Sequence, residues 1–140
     1  MLFRFVALAI LCGALASGPA SAQSLLEKRS ADIKTFDGET FRLKEFLVVA
    51  NGSVARSFTA CWNGGTVRIR MPRIEQMEFS NRKRSNRCSF EGILAKIKLS
   101  GESDAQIFTL RDENFLVLGF GQFGRWHSDM RHIMKITFLE

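Results

Sequence analysis

The chain has 140 residues, with 20 Lys and Arg against 14 Asp and Glu, a formal charge of +6 at pH 7 and 46% hydrophobic residues. This length limits it to one ordinary domain, or two very small ones sharing a core. The positive balance favours anionic partners, and no run after the leader described next is apolar enough to span a membrane.

Residues 1–22 read as a secretory signal peptide. "MLFRF" supplies Arg4 in a short n-region, residues 5–16 are an uncharged apolar run, Gly18 and Pro19 break it, and "ASA" at residues 20–22 places cleavage before Gln23. The run falls well short of the roughly 20 residues a spanning helix needs. Cys12 follows the bulky Leu11, which argues against lipidation. A periplasmic or secreted protein is expected, carrying one unit of charge less than the whole chain because only Arg4 is lost. Two cysteines remain, Cys61 and Cys88. In an exported chain an even pair points to a disulfide before a metal site or two separate buried thiols.

In chain order, residues 23–30 have only Leu25 and Leu26 as strongly apolar positions and form a short helix or no element. "FLVVA", Asn51-Gly52 and "SVARSFTA" make a hairpin signal, because Asn-Gly takes the positive φ angles of a type I′ turn. "WNGG" at residues 62–65 marks a second turn. "TVRIRM" then alternates, with Val67, Ile69 and Met71 on a core face and Arg68 and Arg70 on a wet one. Pro72 ends that strand, and Met77 and Phe79 resume the alternation in a short partner strand. The second half uses the same grammar: "GILAKIKLS" and "AQIFTL" flank a turn at "GESD", "RDEN" makes another, and "FLVLGF" leads through "GQFG" into "RWHSDM" and "MKITF". Trp126, Ser128 and Met130 then face inward, and His127 and Asp129 outward.

Residues 65–79 and 124–138 match at one constant offset: Gly65 with Gly124, Met71 with Met130, Ile74 with Ile133 and Phe79 with Phe138. An "AxIK" echo at residues 31–34 and 95–98 suggests that both halves also begin alike. Duplication or convergent hairpin patterning accounts for these echoes. Strand, tight turn, strand resembles the way small SH3-like barrels close, a likeness confined to those two segments. The expected fold is all-β: two similar halves of short antiparallel strands, as tandem small SH3-like barrels or one β-sandwich, after a cleaved signal peptide. The halves are residues 23–80 and 88–140, joined by a basic linker at 81–87.

That linker, "NRKRSNR", concentrates Arg82, Lys83, Arg84 and Arg87. With Arg68 and Arg70 on the wet face and Arg73 at the turn, it makes an anion-binding candidate, since guanidinium groups bind phosphates and carboxylates through paired hydrogen bonds. The plain alternative is a solvated linker. His127, Asp129 and His132 in "HSDMRH" would start a metal site only with a third or fourth ligand that nothing nearby supplies, so no metal is expected. No "GxSxG", "HExxH" or Walker loop is present, "GFGQFG" lacks the GxGxxG spacing, and only distant carboxylates such as Glu91 with Asp112 or Glu113 could be paired, so neither a catalytic set nor a cofactor is expected. "NGS" at residues 51–53 is read as turn chemistry, not as a glycosylation acceptor, since the leader looks bacterial.

The leading expectation is therefore an exported, non-enzymatic binding or adaptor module of the cell envelope that recognises a protein partner through strand edges and loops. The alternative is a binder of anionic lipid or polysaccharide through Arg68, Arg70, Arg82, Lys83, Arg84 and Arg87, and a hydrolase comes third. Nucleic acid is an unlikely partner for an exported chain.

Overall fold

The structure is a computed structural model, and it describes residues 29–83, Cys88, Phe90 and residues 92–139, with the backbone alone at 81–83. Among these residues there is no α-helix. The strands are β1 (Ala31–Thr35), β2 (Thr40–Ala50), β3 (Ser53–Val54), β4 (Ser57–Trp62), β5 (Gly65–Arg70), β6 (Ile74–Lys83), β7 (Gly92–Leu99), β8 (Gln106–Arg111), β9 (Leu116–Gly121), β10 (Gly124–Asp129) and β11 (Ile133–Phe138). Two 3₁₀ turns, Met71–Arg73 and Met130–His132, join β5 to β6 and β10 to β11. The fold is all-β and antiparallel throughout.

Turn chemistry explains the local geometry. Asn51 and Gly52 have φ of 52° and 77°, and Asn63 and Gly64 have 50° and 80°, the paired left-handed angles of type I′ hairpins. The Asn63-Gly64 turn closes six matched pairs, from Trp62↔Gly65 to Ser57↔Arg70. The Asn51-Gly52 turn closes only two, Ala50↔Ser53 and Val49↔Val54. One edge of β2 is already occupied by β1 and by the chain just before it, where the Phe46 N–H donates to the Arg29 carbonyl at 2.9 Å. The return strand therefore leaves at Ala55, and the apolar face of β4, with Phe58 and Ala60 fully buried, packs elsewhere.

Strand order is β10-β9-β2-β1-β11-β6-β7-β8-β4-β5, with β3 beside β2. The order divides into two groups of five, and each draws on both halves of the chain. The first two strands of the N-terminal half join the last three of the C-terminal half, and the reverse combination builds the other group. The hairpins β4–β5 and β9–β10 carry the same six-pair ladder: Ser57↔Arg70 to Trp62↔Gly65 in one, Leu116↔Asp129 to Gly121↔Gly124 in the other. The two stretches that echo one another in sequence thus occupy equivalent places. β6 runs on through residues 81–83, with Lys83 opposite Ile93, so the first part of the basic segment is strand backbone.

The groups meet where β11 pairs with β6 through Ile136↔Met77. Ile33 lies opposite Ile136 on one side, and Ile97 opposite Met77 on the other. This gives one row, Ile33, Ile136, Met77 and Ile97, whose side chains are all buried to within 1%. Edge-to-face rings extend the core: Phe46 with Phe138 and Phe58 with Phe115, each pair with centroids 5.1 Å apart.

Arg29 fastens the first 3₁₀ turn. Its guanidinium donates to the Met71 carbonyl at 2.9 Å and to the Ile74 carbonyl at 2.5 Å, and lies 4.1 Å from the centroid of the Phe138 ring. Cys61 of β4 is bonded to Cys88, just ahead of β7, with their Cα atoms 5.8 Å apart. The disulfide expected from the sequence is formed. Among the described residues no helix is long and apolar enough to cross a membrane.

Candidate binding edge on β5

β5 ends the strand order, so among the described residues only one of its edges is paired, to β4. In a two-residue hairpin the residues flanking the turn form a hydrogen-bonded pair and the bonding then alternates. Gly65, Val67 and Ile69 therefore bond to β4, a pattern continued by the Met71 N–H donating to the Arg56 carbonyl at 2.9 Å. The backbone N–H and C=O groups of Thr66, Arg68 and Arg70 point away, along the free edge. The side chains of all three are exposed. Free edges of this kind pair readily with another extended chain.

A cleft of about 350 Å³ follows that edge. Its floor is apolar, from Ile69, Ile97 and Phe108, all at least nine-tenths buried. Arg68, Arg70 and Arg73 stand on one rim, and Glu102 and Asp104 line the cleft from the β7–β8 turn. Trp62, 39% exposed, lies at the β4–β5 turn. Pro72 is the middle residue of the 3₁₀ turn that presents Arg73, and the Ser100 N–H donates to the Arg73 carbonyl at 2.7 Å, tying the two rims together. Among the described residues none of these three arginines or two carboxylates forms an ion pair within 4.0 Å. The cations are held near one another with their hydrogen-bonding capacity unspent on protein carboxylates.

Of the six anion-binding candidates, Arg68 and Arg70 lie side by side on this edge, joined by Arg73. Arg82 and Lys83 fall at the C-terminal end of β6, and Arg84 and Arg87 lie outside the described residues. Trp62, Glu102 and Asp104 escape sequence reading, because the turn carrying the acids is remote along the chain from β5. The exposed Trp beside Asn63-Gly64 was the one local signal.

β10 is the other end of the strand order and repeats the backbone geometry, with Arg125, His127 and Asp129 in the places of Thr66, Arg68 and Arg70. Its charge differs. Asp129 accepts from the Arg131 backbone N–H at 2.9 Å and pairs with its guanidinium at 2.7 Å, and these bonds hold its carboxyl below the usual carboxylate range. His132 faces Ser128 Oγ at 3.3 Å. Among the described residues no three His, Cys, Asp or Glu side chains gather as a metal site. Met130 is buried, Trp126 and Ser128 are half-buried and His127 is exposed, as the alternation predicts, whereas Asp129, expected to point outward, is half-buried because its carboxylate turns back onto the 3₁₀ turn.

Asp129 thus caps the second 3₁₀ turn, and a lowered folded-state pKa contributes stability above the unfolded value that disappears as acid protonates the carboxylate. Asp129→Ala is expected to lose about 1 kcal/mol at pH 7. The deficit should shrink below about pH 4, measured by urea unfolding of both proteins at pH 7 and pH 3. An equal deficit at both pH values would assign the loss to something other than the charge.

The chain matches no known protein family, no curated protein and no solved structure. The chemistry of the site is therefore argued from its own residues.

Proposed function

We propose that the protein is an exported, non-enzymatic binding module of the cell envelope that takes an extended acidic segment of a partner protein as an added strand on β5. The observation that carries this reading is the edge itself: outward backbone groups of Thr66, Arg68 and Arg70 beside three arginines that form no ion pair among the described residues. Strand addition draws affinity from main-chain hydrogen bonds and specificity from alternate side chains. An incoming strand with carboxylates at every second position would meet Arg68 and Arg70 and place its other side chains over the apolar floor. The leader pattern of residues 1–22 and the Cys61–Cys88 bond support an oxidising compartment. The matching ladders of β4–β5 and β9–β10 support duplication of one ancestral half.

The competing reading is capture of an anionic lipid or polysaccharide by the same arginines together with Arg82, Lys83, Arg84 and Arg87. It uses the charges and ignores the backbone. Titration of the mature, oxidised protein with an alternating Glu-Val heptapeptide separates the two. Arg68→Ala/Arg70→Ala is expected to weaken binding about tenfold at low salt, two exposed charge pairs of about 0.7 kcal/mol each. Methylating alternate backbone nitrogens of the peptide leaves every charge in place and should abolish binding. Undiminished binding of the methylated peptide would defeat strand addition and favour the polyanion reading.

A further inference from the structure

A second surface, independent of the β5 edge, lies at the tip of the β9–β10 hairpin. Phe123 sits in the two-residue loop between Gly121 and Gly124 and is 96% exposed. Phe120, at the end of β9, is 42% exposed. It lies directly opposite Arg125 on β10 and Lys44 on β2, so the three side chains project from one face as a row of cation, ring and cation. A bulge produces this alignment. Glu45 has a φ of 51°, and Glu45 and Phe46 together lie across from Gly119, which leaves Lys44 and Leu47 facing the same way. A side chain at Gly119 would come within 3.0 Å of the Lys44 carbonyl, so glycine is needed where the strands approach. The next row, Leu47, Leu118 and His127, continues the face with two half-buried leucines. Glu45 is the acid that lines the shallow hollow beside Lys44 and Phe120.

Folding does not demand this composition. The equivalent hairpin turns through Asn63-Gly64, and its corresponding row is Thr109, Cys61 and Thr66. A hairpin with the same six-pair ladder is therefore built elsewhere in this molecule with Asn-Gly at its turn and no cations in the matching row. Phe123 is not a lone exposed ring: with Phe120 and the half-buried Leu47 and Leu118 it belongs to an apolar patch, and such patches mark surfaces that meet a protein partner or a membrane.

We propose that this tip docks on an anionic lipid surface, with Phe123 inserted at the boundary of headgroups and acyl chains and Lys44 and Arg125 set among the lipid phosphates. Phe123 and Arg125 are two residues apart, with Gly124 between them, a reach of up to about 7 Å of extended chain. That spacing matches the roughly 5–10 Å depth to which interfacial apolar side chains are buried. The ring goes in and the cations stay at phosphate level. The surface shares no residue with the β5 cleft, so a module docked by its β9–β10 tip keeps β5 available for its own partner.

The test is sedimentation of the mature, oxidised protein with vesicles of phosphatidylcholine, alone or with phosphatidylglycerol as one third of the lipid. The wild type is expected to prefer the anionic vesicles. Phe123→Ser should weaken binding about tenfold, and Lys44→Ala/Arg125→Ala should lose about fivefold per cation and with it the preference for phosphatidylglycerol. Because Phe123 is exposed, both variants should keep the wild-type unfolding midpoint. Arg68→Ala/Arg70→Ala should sediment like the wild type, which separates this surface from the β5 edge. The proposal is overturned if Phe123→Ser binds vesicles as well as the wild type does. It is equally overturned if sedimentation equilibrium without lipid shows a dimer that Phe123→Ser dissociates, since the tip would then be covered by a second copy of this chain.

Discussion

Cys61→Ala/Cys88→Ala is expected to lose about 3–4 kcal/mol of stability, close to the chain-entropy value for a bridge across this separation. The two cysteines are 27 residues apart in sequence, and Cys61 is 6% exposed. The bond acts at a weak point of the topology. β4 is held to β8 by only two matched pairs, Ala60↔Leu110 and Cys61↔Thr109. By fastening β4 to the chain entering β7, the bridge secures a strand from the N-terminal half to the group it joins. Urea unfolding of the variant and of the oxidised wild type measures the loss, and in a thermal scan the midpoint should fall by about 10–15 °C. Unchanged stability would show that β4 is retained by packing alone.

The second large effect belongs to the row that joins the two groups. Met77→Ala and Ile136→Ala are each expected to cost about 2–5 kcal/mol, since neither side chain touches solvent and the strands on both sides cannot close over the gap. The residues are direct cross-strand neighbours, so the double variant should deviate from the sum of the two losses. The two tryptophans serve as reporters, with Trp62 on β4 in one group and Trp126 on β10 in the other. Trp62→Phe and Trp126→Phe each leave one fluorescent probe, and both should unfold at the same urea concentration. Separate midpoints would mean that the groups are independent units merely touching at β6 and β11.

Much of the local structure was legible in the sequence. Asn51-Gly52 and Asn63-Gly64 announced their turns because left-handed φ is a short-range steric matter that those residues tolerate. Alternation placed Ile69, Met77 and Phe79 in the core and left Arg68 and Arg70 wet, because adjacent residues of any strand face opposite ways. Partnership was not legible. Met77 and Phe79 look like the return strand for Val67 and Ile69, yet β6 pairs with β7 and β11 instead. The 3₁₀ turn at Met71–Arg73 redirects the chain, and β6 finds one neighbour in the next strand, β7, and the other, β11, far away in sequence. The same limit applies to the candidate site. Charge and exposure at Arg68 and Arg70 follow from pattern, but that β5 ends the sheet, and that Glu102 and Asp104 oppose it, depend on pairings no local rule encodes.

The exchange of strands between the halves also governs when the molecule can come into being. β1 lies between β2 and β11, and Ile33 is covered only when Ile136 arrives opposite it. During synthesis the N-terminal half therefore emerges with part of its apolar surface unmatched, and the group that begins with β1 is completed by β11, the last of the described strands. Pairings this remote make for slow folding and for a nascent chain that needs protection from aggregation. Under the proposed export, the same order of pairing keeps the chain from locking into a bulky globule until β11 has passed the translocation pore.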